Sequence, residues 1–177
     1  MALSETAAQS IVARAAAGDQ AAFARLVAEH HGSMARVAYA ITGDRESAAD
    51  AVQTAWSTAW RRLGTLRDAA TVRSWLVAIA ANEARQILRR QRTRTIVDIS
   101  TVPEIQGGGD PAERISAVDL ARALRSLNPD ERTLLALRFA GGLDSTDIAT
   151  QLGMSASGVR SRLSRLIERL RLDLDHA

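Results

Sequence analysis

Apolar residues along this chain recur at intervals of three and four, a spacing that predicts helix almost throughout. From Gln20 to about Thr42, Phe23, Leu26, Val27, Met34, Val37, Ala38 and Ile41 define one apolar face. Ahead of it, Gly18 reads as the stop of a short helix over residues 5–17 and Asp19 as a fresh N-cap; Gly43 and Asp44 repeat that punctuation. The next helix, Arg45 to Leu63, sets Val52, Ala55, Trp56, Ala59, Trp60 and Leu63 on one side and the polar row Asp50, Gln53 and Ser57 on another. A polar row is ordinarily a solvated face, and gains meaning as a docking surface only where a partner is predicted. After a break at Gly64 to Ala70, a helix from Thr71 to about Arg92 turns Val72, Trp75, Leu76, Ile79, Ala80, Ile87 and Leu88 inward.

Residues 95–115 abandon the period. Pro103, the run Gly107 to Gly109 and Pro111 mark a flexible linker between an N-terminal helical domain, 1–94, and a C-terminal one, 116–177. The triple glycine is no phosphate loop, since no strand precedes it and no lysine follows. Beyond the linker, one helix covers Ser116 to Leu127. A second starts at Asn128–Pro129, carries Glu131, Leu134, Leu135, Leu137 and Phe139, and stops at Gly141–Gly142.

The stretch Asp144 to Arg171 then reads as a short helix, a turn at Gly153 and a longer helix opened by Ser155. At 100° per residue, Val159, Leu163, Leu166 and Leu170 share one side of that longer helix. Ser157, Ser161, Ser164 and Arg165 fall opposite, flanked by Arg160. This is a helix-turn-helix, whose second helix enters the DNA major groove. The expected fold is all-α: two small helical domains joined by a flexible linker, the C-terminal one a helix-turn-helix.

Composition agrees, with 46% apolar residues, 3% aromatics and three prolines. Every one of the 23 basic residues is arginine, and the net charge is +3. Genomic base composition accounts for much of that bias, but the charge is also segregated. Residues 1–60 hold four arginines against six acids, whereas residues 73–94 hold six against one glutamate. Cations at a helix C-terminus favour its dipole, yet Arg85, Arg89, Arg90, Arg92 and Arg94 exceed what one helix end needs, and nucleic-acid contact is the better reading. With no cysteine there is no disulfide framework, thiolate metal site or thiol nucleophile. Adjacent His30 and His31 point about 100° apart on a helix and make a poor metal pair. No cofactor or metal is expected. The N-terminus lacks a signal-peptide pattern, and no apolar run reaches the roughly 20 residues of a membrane span, so a cytoplasmic protein without membrane contact is expected.

The order of these motifs resembles the extracytoplasmic-function sigma factors, group 4 of the sigma-70 family. The likeness runs from residue 18 to 172 and rests on DAVQTAWSTAW (Asp50 to Trp60), SWLVAIAANEARQILRR (Ser74 to Arg90) and LNPDERTLLALRFAGGLDSTDIATQLGMSASGVRSRLSRLIERLR (Leu127 to Arg171). A helix-turn-helix alone fits many regulators; three pieces in this order are specific. The resemblance implies a non-enzymatic subunit that binds core RNA polymerase and promoter DNA, with no additional C-terminal domain. It implies that Asp50, Gln53 and Ser57 face the clamp helices of the largest polymerase subunit, with Trp56 and Trp60 mainly in the core. It implies that the loop before Thr71 receives an unstacked base of the minus-10 element, which Asn82, Arg85, Gln86, Arg89 and Arg90 help hold. In the second domain it implies minus-35 reading by Ser157, Arg160, Ser161, Ser164 and Arg165, with Arg162 and Arg169 on phosphates or intramolecular partners. An anti-sigma factor is a further implied partner. A free-standing dimeric helix-turn-helix regulator is the competing class.

Overall fold

A computed structural model describes residues 11–95 and 126–175. The expected linker beyond Thr95, and the expected helix from Ser116 up to residue 125, lie outside them. Within them the backbone is helical: α1 (Gln20–Thr42), α2 (Arg45–Arg62), α3 (Val72–Thr95), α4 (Pro129–Leu135), α5 (Ser145–Leu152) and α6 (Ala156–Asp175), with 3-10 turns at Leu63–Thr65 and Ala69–Thr71. Residues 11–16 are helical as well.

The helix boundaries follow from local chemistry. Asp19 accepts from Ala22 N at 3.0 Å, Asp44 from Ser47 N at 2.7 Å, and Asp144 from both Thr146 N and Asp147 N at 2.8 Å. Each carboxylate satisfies donors that the first helical turn leaves open. At the other ends Gly43 and Gly153 adopt left-handed backbone, φ 81° and 65°, where a Cβ is unfavourable. Helix α3 runs three residues past the expected Arg92.

Helices α1, α2 and α3 pack on one another. Met34, Val37 and Ile41, Ala51, Ala55 and Ala59, and Leu76, Val77 and Ala80 are almost wholly buried. The alanines at four-residue intervals let α2 lie close to its neighbours, because interhelical distance follows side-chain size at the contact. Bulkier rings one position off that stripe are pushed to its margin. Trp56 is half-buried and donates from Nε1 to His31 Nδ1 at 3.3 Å, while Trp60 is 40% exposed, edge-on to Phe23 at 4.8 Å. Trp60 is therefore not the core residue that the resemblance implied.

In the second half, Asn128 accepts from Asp130 N and Glu131 N while Glu131 accepts from Asn128 N at 3.0 Å, a reciprocal capping box with Pro129 in the first turn. Helix α4 then widens into a π-turn over Ala136–Ala140, where Gly141 N bonds back five residues to Ala136 O at 2.8 Å. The extra residue per turn shifts the apolar face. Leu137 is fully buried but Phe139, expected on the same helix, is 66% exposed.

The two halves share one apolar cluster, which continues from α1–α3 through Leu134, Leu137 and Leu143 to Ile148, Val159 and Leu166. Gly141 packs tightly at the seam: a Cβ there would stand 3.1 Å from Val77 Cγ1 and 3.3 Å from Val37 Cγ2. Two arginines tie the seam through main-chain carbonyls, Arg132 Nη1 to Ile41 O at 3.1 Å and Arg73 Nη2 to Gly141 O at 2.6 Å. Motif order and linker composition carry no sign of this contact.

Candidate nucleic-acid interface

Helix α3 carries its polar residues in two neighbouring rows, because positions four apart stack along a helix. Gln86 and Arg90 form one row and Arg85 and Arg89 the other. Gln86 and Arg90 line a groove between α2 and α3 together with Asp50, Gln53, Thr54, Glu83 and Ile87. Two of the three residues expected to meet polymerase and two of the five expected to meet the minus-10 element thus border a single groove. Ser57, one turn beyond Gln53, is exposed and donates to Gln53 O at 3.2 Å. Asn82 is half-buried at the start of the same helix face.

The second arginine row faces the other way, toward the C-terminal half. Arg89 Nη2 donates to both carboxylate oxygens of Asp130, at 2.9 and 3.0 Å, and Arg85 Nη1 reaches Asp130 Oδ1 at 3.2 Å. Upstream, the bend at residues 66–68 leaves Arg67 and Asp68 exposed, and Asp68 accepts from Ala70 N at 2.9 Å to open the turn into α3.

On α6 the apolar side is buried as the helical wheel predicts: Val159, Leu163, Leu166 and Leu170 pack inward. Ser157, Arg160, Ser161, Ser164 and Arg165 are exposed. Ser155 Oγ caps the helix by accepting from Gly158 N at 3.0 Å and lies 3.2 Å from Ser157 Oγ. Arg165 Nε bonds to Ser161 O at 3.3 Å, and its side chain borders a cleft of about 750 Å³ that Arg85, Asp130, Glu131, Arg162 and Arg169 also line. Arg169 pairs with Glu131 at 2.8 Å, the intramolecular alternative expected for it. Ser157, Arg160, Ser161 and Ser164 do not border that cleft.

Asp130, Arg132 and Arg73 are not among the residues that sequence pattern singles out, because their partners lie 41 to 91 residues away. Arg132 follows Asp130 and Glu131 and precedes Thr133, a polar stretch that reads as solvated, yet its side chain is buried. Among the described residues no group of histidine, aspartate or glutamate could hold a metal ion, and no helix is long and apolar enough to cross a membrane.

An arginine-studded helical bundle followed by a helix-turn-helix is the layout of a transcription protein that reads DNA. The Sigma-70 region 2 family matches residues 26–94, and Sigma-70 region 4 matches residues 117–170. The chain is 34% identical over 168 residues to the probable RNA polymerase sigma factor RfaY of Xanthomonas campestris, covering 90% of itself but 42% of that protein. To the ECF RNA polymerase sigma factor SigL of Mycobacterium tuberculosis it is 32% identical over 167 residues, covering 92% of itself and 94% of SigL. The solved structure of CnrH in complex with the cytosolic domain of CnrY superposes with a TM-score of 0.70 at 27% identity, over 94% of this chain and 96% of CnrH, a sigma factor of Cupriavidus metallidurans. The chain belongs to the extracytoplasmic-function RNA polymerase sigma factors of the sigma-70 family.

Proposed function

We propose that this chain is a group 4 sigma factor that binds core RNA polymerase and directs it to promoters, without enzymatic activity of its own. The observation that carries the reading is the pairing of both sigma regions, in order, with an α6 whose apolar side is buried and whose serine–arginine side is exposed. The division of labour is 1–94 for polymerase and the minus-10 element, 95–115 as linker, and 116–177 for the minus-35 element. Asp50, Gln53 and Ser57 on α2 meet the polymerase clamp helices. The groove that Asp50 and Gln53 share with Gln86 and Arg90 supports a site where polymerase and melted DNA meet side by side. The bend before α3 takes the extruded base, and Asn82, Arg85, Gln86, Arg89 and Arg90 hold the strand around it. Extrusion costs a few kcal/mol, which stacking and phosphate contacts must offset.

Ser157, Arg160, Ser161, Ser164 and Arg165 face the major groove of the minus-35 element. An arginine forked onto guanine discriminates by about 1 to 3 kcal/mol, whereas one on phosphate adds salt-dependent affinity. Because Arg165 is bonded to its own helix and borders the cleft, Arg160 is the stronger candidate for a base contact. Transcription of a randomised promoter library by holoenzyme tests the assignment. Relaxed selection at one minus-35 position is expected for Arg160→Ala or Arg165→Ala, and unchanged selection in both variants overturns it. A free-standing regulator would bind duplex DNA alone and direct no transcription with core polymerase. The likeness to CnrH, solved with CnrY, supports an anti-sigma factor as a further partner.

A further inference from the structure

The side of α6 that turns away from Ser157, Arg160, Ser161 and Ser164 also carries arginine. Arg162, Arg165 and Arg169 run along it at three- and four-residue spacing and line one cleft of about 750 Å³, whose wall also holds Arg85 of α3 and the acids Asp130 and Glu131 of α4. We propose that this cleft is a binding site for a purine nucleoside diphosphate, with the phosphates on Arg162 and Arg165 and the base against the apolar wall formed by Leu134, Leu152, Met154 and Leu166. The site is independent of the part given to Arg165 in reading the minus-35 element.

Four guanidinium groups meet two carboxylates in this cleft, and both carboxylates are already engaged. Asp130 accepts from Arg85 and Arg89, while Glu131 holds Arg169 at 2.8 Å through Oε1 and accepts from Asn128 N at 3.0 Å through Oε2. Arg162 is exposed, and Arg165 keeps both Nη groups beyond its Nε bond to Ser161 O; neither has an acidic partner among the described residues. Duplex DNA does not account for this surplus. Arg162 and Arg169 stand four positions before and three after the buried Leu166, so they border the packed side of α6, which is turned away from a major groove that receives the opposite face. The anion that fits is therefore small. Guanidinium forks hold phosphate oxygens in pairs, and two of them three positions apart on one helix match two linked phosphates better than one. The rest of the wall is apolar: Leu134 and Leu166 are buried, Leu152 and Met154 half-buried. Inorganic phosphate would leave that surface unused, whereas a planar base covers it, and methionine adapts its shape to an aromatic ring. The volume lies within the range of about 300 to 1,000 Å³ typical of small-molecule sites.

Isothermal titration calorimetry of the full chain with ADP, GDP and pyrophosphate, at physiological ionic strength, tests the site. A single nucleotide is expected to bind per chain, about tenfold tighter than pyrophosphate because the base buries apolar surface. Arg162→Ala is expected to weaken nucleotide binding about tenfold, the size of one charge-assisted phosphate contact. Arg36→Ala removes the same charge from the exposed face of α1, outside the cleft, and is expected to leave the affinity as it was. No saturable binding of either nucleotide overturns the site. Equal affinity in the two variants, weakened or not, overturns it as well, because the response then follows net charge or nothing at all. Pyrophosphate that binds as tightly as ADP and GDP overturns the nucleoside assignment and leaves the arginines as a general anion contact.

Discussion

His30 sits at the buried face of α1, 6% exposed, with Glu29 Oε1 4.0 Å from its Nε2. Loss of hydration holds its pKa below 6.5, the ordinary histidine value; Glu29 opposes that shift and the field of Arg73 adds to it. The native state therefore takes up the proton less readily than the unfolded chain. Stability from this group is fully present above pH 6.5 and falls as pH drops through the interval down to the depressed native value. Asp19 acts in a lower window: the backbone bond from Ala22 N and the bond from Arg14 lower its pKa, so its contribution is lost only as pH falls below 3.8. Urea midpoints measured from pH 7.5 to pH 5 are expected to decline for the natural chain and to flatten for His30→Gln. An equal decline in that variant assigns the dependence elsewhere. The neighbouring His31, solvent-exposed and holding Trp56, shows how one step along a helix separates two identical side chains.

At the scale of elements, the caps were legible because they are local. Asp19, Asp44 and Asp144 each act on donors within three residues, and Gly43 and Gly153 each serve a backbone angle set at their own position. Asn128 is the fullest example, since it and Glu131 cap one another's backbone donors at the start of α4. Asn128→Ala is expected to cost about 1 kcal/mol, within the range of about 0.5 to 2 found for such caps. The check is chemical denaturation; no loss would mean that solvent already satisfies those donors. The π-turn was not legible. Its five-residue bond from Gly141 to Ala136 accompanies tight packing of Gly141 against Val37 and Val77, which belong to other helices. A straight α-helix drawn through the same residues puts Phe139 on the wrong side. The paired rows on α3 were partly legible: spacing grouped Arg85, Gln86, Arg89 and Arg90, but only the positions of α2 and α4 send one row to a groove and the other to Asp130.

For the whole molecule, the continuous apolar cluster predicts that the two halves unfold together. All three tryptophans, Trp56, Trp60 and Trp75, belong to the N-terminal half, so fluorescence reports that half alone while far-ultraviolet circular dichroism reports both. Coincident transitions by the two probes are the expected outcome. Arg132→Ala, which removes the buried bond to Ile41 O, is expected to pull them apart. Separate transitions already present in the natural chain would count against the shared core. Arg132 sits 91 positions from its acceptor and beside Asp130 and Glu131 in the first turns of α4, where its neighbours in the chain read it as one more solvated charge.

What the sequence determined by itself is whatever depends on neighbours in the chain: the all-helical class, most helix limits, the caps, the buried and exposed sides of α6, and the order of motifs that marks a sigma factor. Those features follow from backbone hydrogen bonding and a period of 3.6 residues, which act over a few positions. Tertiary structure decided which exposed charges remain open. Asp130 and Arg89 are 41 residues apart and each, in sequence, is a polar residue on a solvated face. Only the docking of α4 beside α3 brings them within hydrogen-bond reach, because an ion pair depends on distance in space and takes no account of the chain between.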